Sequence, residues 1–161
     1  MQTRAHRRTI LLVALLAGAL LGGAAYAKGQ LSKLAAFTAP GAEMQVLTFE
    51  DQGKRVALFG IINGSTRNSF TANLSELPGV IELWKKALAA RSPAWKTVGS
   101  QSETDTSDRS RLTLSAGPGI RFVIDSPKGQ TETFTMENGD AARFEEALGK
   151  AKEALENAPV K

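Results

Sequence analysis

The side chains able to do chemistry in this chain are carboxylates, hydroxyls, lysines and arginines. It holds one histidine, His6, one tyrosine, Tyr26, and no cysteine in 161 residues. Nucleophilic catalysis of the Ser-His-Asp or Cys-His kind needs an imidazole or a thiol beside its partner, and zinc sites draw on the same two groups. Both chemistries vanish if the first 27 residues are removed, as argued below. A carboxylate-dependent hydrolase remains as the weakest enzymatic reading. It needs two acids held roughly 5–9.5 Å apart across a cleft, and the pattern puts the acids of this chain in turns and on helix exteriors. The expectation is a non-enzymatic protein with no catalytic residue, no cofactor and no metal.

Two segments invite a ligand reading and decline it on inspection. Residues 100–108 offer Glu103, Asp105 and Asp108 among several hydroxyls, oxygen ligands that suit Ca²⁺. They lack the turn glycine and the closing bidentate Glu of an EF-hand loop, so a solvated flexible loop is expected. Gly117-Pro118-Gly119 precedes a strand rather than a helix N-terminus, which makes it a hairpin turn rather than an anion nest.

Binding chemistry is better represented. Arg109, Arg111 and Arg121 lie near one another in the chain, and strand alternation puts Arg111 and Arg121 on the face opposite the core, with Thr113 and Thr133. Such a face is the candidate site for polyanions, although no aromatic residue accompanies the arginines to stack bases. Trp95 follows Pro93 at an exposed junction and is the candidate recognition aromatic. The run 55–62 carries Val56, Leu58 and Ile62 on one face and Ala57, Phe59 and Ile61 on the other. An apolar pattern on both faces fits a strand covered on both sides or one that meets a partner. Phe59 and Ile61 are therefore candidate interface residues, and a homodimer is the expected assembly.

These residues need elements to hold them. Residues 28–42 read as an N-terminal arm or an edge strand ending in the turn Ala39-Pro40-Gly41. Strands follow at 44–50 and 55–62, and Asn63-Gly64 marks a hairpin because both residues tolerate positive φ. A third strand at 69–74 leads to a helix over 77–90, capped by Ser75, with Leu77, Val80, Ile81, Trp84 and Leu88 on one stripe. The order then returns. Strands are expected near 95–98, 112–114, 120–124 and 131–136, and a helix over 140–156 buries Ala141, Phe144, Leu148, Ala151 and Leu155. A shift of 64 residues superposes Phe70 on Phe134, Glu82 on Glu146 and Lys86 on Lys150, and a shift of 65 superposes Leu47 on Leu112. The reading is α+β: antiparallel sheets with two packed helices, in a tandem strand-strand-strand-helix duplication with half-repeats 44–91 and 95–157. Residues 43–161 would form a single domain.

The N-terminal segment sets the compartment. Arg4, Arg7 and Arg8 precede an uncharged run, 9–27, that ends in Ala25-Tyr26-Ala27, the pattern of a signal peptide cleaved before Lys28. Arg7-Arg8-Thr9-Ile10-Leu11 resembles a twin-arginine export signal, with His6 where Ser or Thr is usual. The alternative is a retained anchor, since ~20 apolar residues span a bilayer; the missing cysteine excludes a lipoprotein. Three of the 20 basic and none of the 16 acidic residues lie in this stretch, so processing leaves 17 against 16 and a nearly neutral protein. A chain this long can bury a sufficient core without disulfides.

Tandem strand-rich units closed by a helix resemble, in architecture alone, the Whirly and PUR nucleic-acid-binding folds. None of their motifs occurs here, and no residue is carried across. Near-neutral charge and export both weigh against nucleic acid. The expectation is a periplasmic or secreted interaction domain that binds a protein or envelope component through a sheet face, touching membrane only if the leader is retained. The alternative is a polyanion- or nucleic-acid-binding module built on Arg111 and Arg121.

Overall fold

The computed structural model describes residues 29–51, 53–104 and 109–157. The leader and residues 105–108 of the acidic loop lie outside the described residues. Strands β1 (Gln30–Ala39), β2 (Ala42–Asp51), β3 (Lys54–Asn63) and β4 (Thr66–Ala72) form one antiparallel sheet in chain order, followed by helix α1 (Leu77–Ala89). Strands β5 (Lys96–Ser102), β6 (Arg111–Ala116), β7 (Ile120–Asp125) and β8 (Thr131–Met136) form the second sheet, and a 3₁₀ turn, Asn138–Asp140, leads into α2 (Ala141–Glu156). The class is α+β, and each unit carries four strands ahead of its helix. The fourth strand of the first unit is β1, which pairs with β2 as an edge strand. Gly41 and Gly64 adopt φ of 75° and 58° at the β1–β2 and β3–β4 turns, conformations that glycine enters without steric penalty.

The helix start differs from expectation. Ser75 does not cap α1: the N-cap is Glu76, without a side-chain cap bond. Asn73 does that work one turn earlier, its Oδ1 accepting the backbone N–H groups of Ser75 and Glu76 at 2.9 and 3.1 Å. A short side-chain amide folds back onto the next two N–H groups more readily than a hydroxyl can.

The helices are exchanged between the units. α1 packs on β5 and β6 of the second sheet, while α2 packs on β1, β2 and β3 of the first. Phe144 of α2 stands where everything meets. Its ring lies 5.7 Å from Phe37 and 6.4 Å from Phe59 of the first sheet, 5.1 Å from Phe122 of the second, and 4.5 Å from Trp84 of α1. Spacings of this kind are those of favourable edge and tilted aromatic pairs. One continuous apolar core therefore joins both sheets and both helices.

Polar groups stitch the seam between the sheets. Asn68 of β4 is buried, and its Nδ2 donates to the carbonyls of Ile124 and Gln130 at 3.0 and 2.8 Å. Asn63 of β3 donates to the Glu132 carboxylate and to the Thr133 carbonyl. Glu132 is buried on the inner side of β8, so the placing of every acid in turns or on helix exteriors is corrected here. A buried carboxylate is tolerable because a donor meets it.

Register also corrects one part of the duplication. Phe59 faces Phe70 and Phe122 faces Phe134 across matching strand pairs. Val46 pairs with Phe59 and Leu114 with Phe122, so Val46 corresponds to Leu114. The superposition of Leu47 on Leu112 matches residues of opposite faces, because an odd slip reverses every side chain.

Candidate interaction surfaces

Each sheet has an inner face turned to the helices and an outer face turned away. Alternation puts Met44, Val46, Ala57, Phe59, Ile61, Phe70 and Ala72 on the inner face of the first sheet, all fully enclosed. Phe59 and Ile61 are each 0% exposed. Their expected role as interface residues is therefore corrected: α2 lies against this face, and Phe144 covers Phe59.

The candidate surface on β3 is the opposite one. Leu58, Gly60 and Ile62 share it with Leu47, Gln45 and Glu43 of β2, their paired residues. In the full chain Leu47 and Leu58 are each 1% exposed, and they form an apolar cluster of their own with Leu31 of β1 packed against it. Phe49 and Val56, a facing pair, extend the same face and are half-buried. The contacts of Phe37, Phe59, Asn63 and Asn68 with α2 and the second sheet leave from the inner side, while Thr71, paired with Leu58 on the outer face, bonds Glu103 just past β5. Burying a leucine side chain is worth about 1.5–3 kcal/mol, so this cluster has reason to stay covered. Gln45 lies within it at 1% exposure. Its Nε2 donates to Glu43 at 2.7 Å, while its Oε1 is buried with no hydrogen-bond partner.

The second sheet presents different chemistry outward. Register aligns Thr97, Ser115, Arg121 and Thr135 in one row, Ser100, Thr113, Val123 and Thr133 in the next, and Ser102, Arg111, Asp125 and Thr131 in a third. None of these residues is buried. Arg111 and Arg121 are on the outer face, as alternation requires, with their charge partly engaged. Arg111 pairs with Asp125 at 3.3 Å, and the Arg121 guanidinium stacks 4.0 Å from the centroid of the Trp95 ring, which corrects the expectation that no aromatic accompanies the arginines. Trp95 is 38% exposed. It lies over Gly117, where an added Cβ would come within 2.7 Å of the indole. Glycine there lets the β6–β7 turn pass beneath the ring, and Trp95 becomes the end-stop of the face, stacked on an arginine.

The described part of the acidic loop, residues 100–104, is not wholly the solvated segment expected. Glu103 is buried, accepting from the Thr71 N–H at 2.7 Å, the Thr71 hydroxyl at 2.8 Å and the Ser110 N–H at 3.3 Å. Burial pushes its carboxyl above the usual range; those donors oppose the shift and the neighbouring Glu76 charge adds to it. Glu76 is buried too, which alone would raise it, yet the Thr104 hydroxyl and the Asn73 and Thr104 N–H groups hold it below that range. The two glutamates clasp the β4–α1 turn to the end of β5. Among the described residues no group of three or more acids, histidines or cysteines gathers as a metal site would require. The shallow hollows beside α1 and beside β2 carry one acid apiece, Glu82 and Glu50. No helix among the described residues is long and apolar enough to cross a membrane.

Asn68, Glu132 and Gln45 were missed by sequence reasoning, and a signal for the first two existed. Asn68 shares the parity of Phe70, and Glu132 that of Phe134, so alternation turns both inward. Gln45 shares the parity of Leu47 and is outward by the same rule.

No protein-family model matches the chain, and no curated protein matches it. Among solved structures it is similar to that of the plant transcriptional regulator PBF-2, at 11% identity and a TM-score of 0.51, over 78% of this chain and 82% of that one. At that identity the likeness is one of fold: paired antiparallel sheets with their helices recur on a different sequence.

Proposed function

We propose that this chain is an exported, non-enzymatic interaction domain, periplasmic or secreted, that engages a protein or envelope component through the outer face of its first sheet. The observation that carries the reading is the cluster of Leu31, Leu47 and Leu58 on the side of the sheet that the shared core does not use. A sheet needs one apolar face to join a fold; this second apolar cluster is enclosed in the full chain, and a partner takes it up in the exported form. The basic start, uncharged run and Ala25-Tyr26-Ala27 of the leader support export. The test is a photo-crosslinking residue at position 58, compared with one at position 133, in cells that produce and export the protein. Adducts at 58 and none at 133 are expected; adducts confined to 133 would refute the reading.

Arg111 and Arg121, together on an open hydroxyl-bearing face, support the second reading, a polyanion-binding module. It requires retention on heparin that weakens with salt. Loss of that retention in the doubly substituted Arg111→Ala, Arg121→Ala chain would favour it, and unchanged retention would remove it.

A further inference from the structure

We infer that processing opens the outer face of the first sheet: in the full chain the uncharged run 9–27 is its cover, and cleavage before Lys28 releases it. The inference rests on the preceding reading that this face engages a partner in the exported form, and it names what keeps the face shut until then.

The cover is identified by elimination. Gln45, Leu47 and Leu58 are each 1% exposed in the full chain, and Ile62 is 7% exposed. Side chains stand roughly perpendicular to a sheet, so neighbours in the same sheet screen their flanks and leave their tips to whatever lies above. The second sheet shows the unopposed case. Val123, flanked by Thr113 and Thr133 on the outer face, is not buried, whereas Leu58, flanked in the same way by Leu47 and Thr71, is enclosed. Something lies over Leu58 that does not lie over Val123. It is neither helix, because α1 packs on the second sheet and α2 reaches the first from its inner side. The Glu103 carboxylate touches this face at Thr71, a polar contact at the β4 margin. Among the described residues the one apolar side chain packed on the Leu47–Leu58 pair is Leu31, of the same sheet.

Outside the described residues the chain has 1–28, Gln52, 105–108 and 158–161. Only the first of these segments is apolar at length: residues 9–27 carry no charge and hold eight residues of Ile, Leu or Val. Its point of attachment fits. β1 pairs Gln30 with Glu50 and Leu31 with Phe49, and Gly29 lies so close to the Phe49 ring that an added Cβ would strike it. Phe49 extends the outer face, so the chain enters the sheet at a corner of that face, just after the cleavage point. An apolar run laid on an apolar face removes both from water. Its loss leaves the face to a partner, so the precursor is closed to that partner and the exported chain is open to it.

The chain has no cysteine, so Leu58→Cys and Gln45→Cys each place a sole thiol on the face, and Thr133→Cys places one on the second sheet. The unprocessed precursor and the processed protein recovered from cells are each treated with maleimide. Thiols at 58 and 45 should react at least ~10-fold more slowly in the precursor, and the thiol at 133 at one rate in both. Adding Leu15→Lys and Leu16→Lys to the precursor should raise the rates at 58 and 45 to those of the processed protein. Equal rates at 58 and 45 in precursor and processed protein overturn the inference. If they are equal and fast, the face is open with or without the leader, and the interaction reading survives. If they are equal and slow, the rest of the chain seals the face, and both fail.

Discussion

The two halves of the molecule share a plan and differ in what they turn outward. Each is four antiparallel strands and a helix, and each has a cross-strand phenylalanine pair on its inner face, Phe59 with Phe70 and Phe122 with Phe134. On the outside, Gln45, Leu47, Leu58, Gly60 and Ile62 of the first sheet are buried, whereas the second sheet shows rows of Thr and Ser that are not. Inner positions are constrained by one shared core, so the halves agree there. Outer positions answer to solvent or to a partner, and that is where they diverge. Half-repeats thus act as controls for each other: what one needs and the other lacks is not demanded by the fold.

The largest effect should come from separating the halves. Because α1 packs on the second sheet and α2 on the first, fragments 28–92 and 93–161 should each be unfolded alone by circular dichroism and should fold when mixed. Independent folding of either would mean that the exchange of helices is incidental. Next, the two faces of β3 should respond unequally. Phe59→Lys should unfold the protein, since even truncating a buried Phe costs about 3–5 kcal/mol. Leu58 is enclosed in the smaller cluster with Leu31 and Leu47, and Leu58→Lys should destabilise the protein by less. Thermal melts of the two variants that coincide would erase the distinction between faces.

Smaller effects test the seam and the clasp. Asn68→Ala removes one donor from each of the carbonyls of Ile124 and Gln130, the latter keeping the Ser126 N–H, and urea melts should register about 1–3 kcal/mol; the outward Thr133→Ala should shift them by less than about 0.5 kcal/mol. The pH dependence combines two opposite signs. The Glu76 carboxyl is held low, so its stabilisation is present above the ordinary carboxylate range, about 4.3, and is lost as pH falls through its depressed value. The Glu103 carboxyl is held high, so its ionised form burdens the fold at neutral pH and that burden lifts as pH falls through its raised value. Tm should therefore rise modestly on acidification from about pH 7.5 and fall once Glu76 protonates. Glu103→Gln should abolish the rise; a rise that persists would place its origin elsewhere.

Much of this fold is legible in residue spacing. Both helix stripes, the Asn63-Gly64 turn, strand 131–136 and the surface pairs Glu82–Lys86 and Glu146–Lys150 follow from local rules and are present. Alternation yields parity but not sign. In β3 both faces are apolar, and only Phe144, more than 80 residues away in the chain, decides that Phe59 points inward and Leu58 outward. The exchange of helices is illegible for the same reason, since an amphipathic stripe does not specify which sheet it meets. Asn68 and Glu132 were readable by parity, yet polar residues draw the eye outward unless a partner is known. Of the candidate residues, Arg111 and Arg121 lie on the outer face that alternation gives them and Trp95 is partly exposed; the enclosure of Phe59 and Ile61 needed tertiary contacts to identify.

The proposed function assigns binding to the first sheet and not to the outer face of the second. A photo-crosslinking residue at position 58, set against one at position 133 in cells that export the protein, decides between them: adducts at 58 and none at 133 are the expected result, and adducts confined to 133 would overturn the assignment.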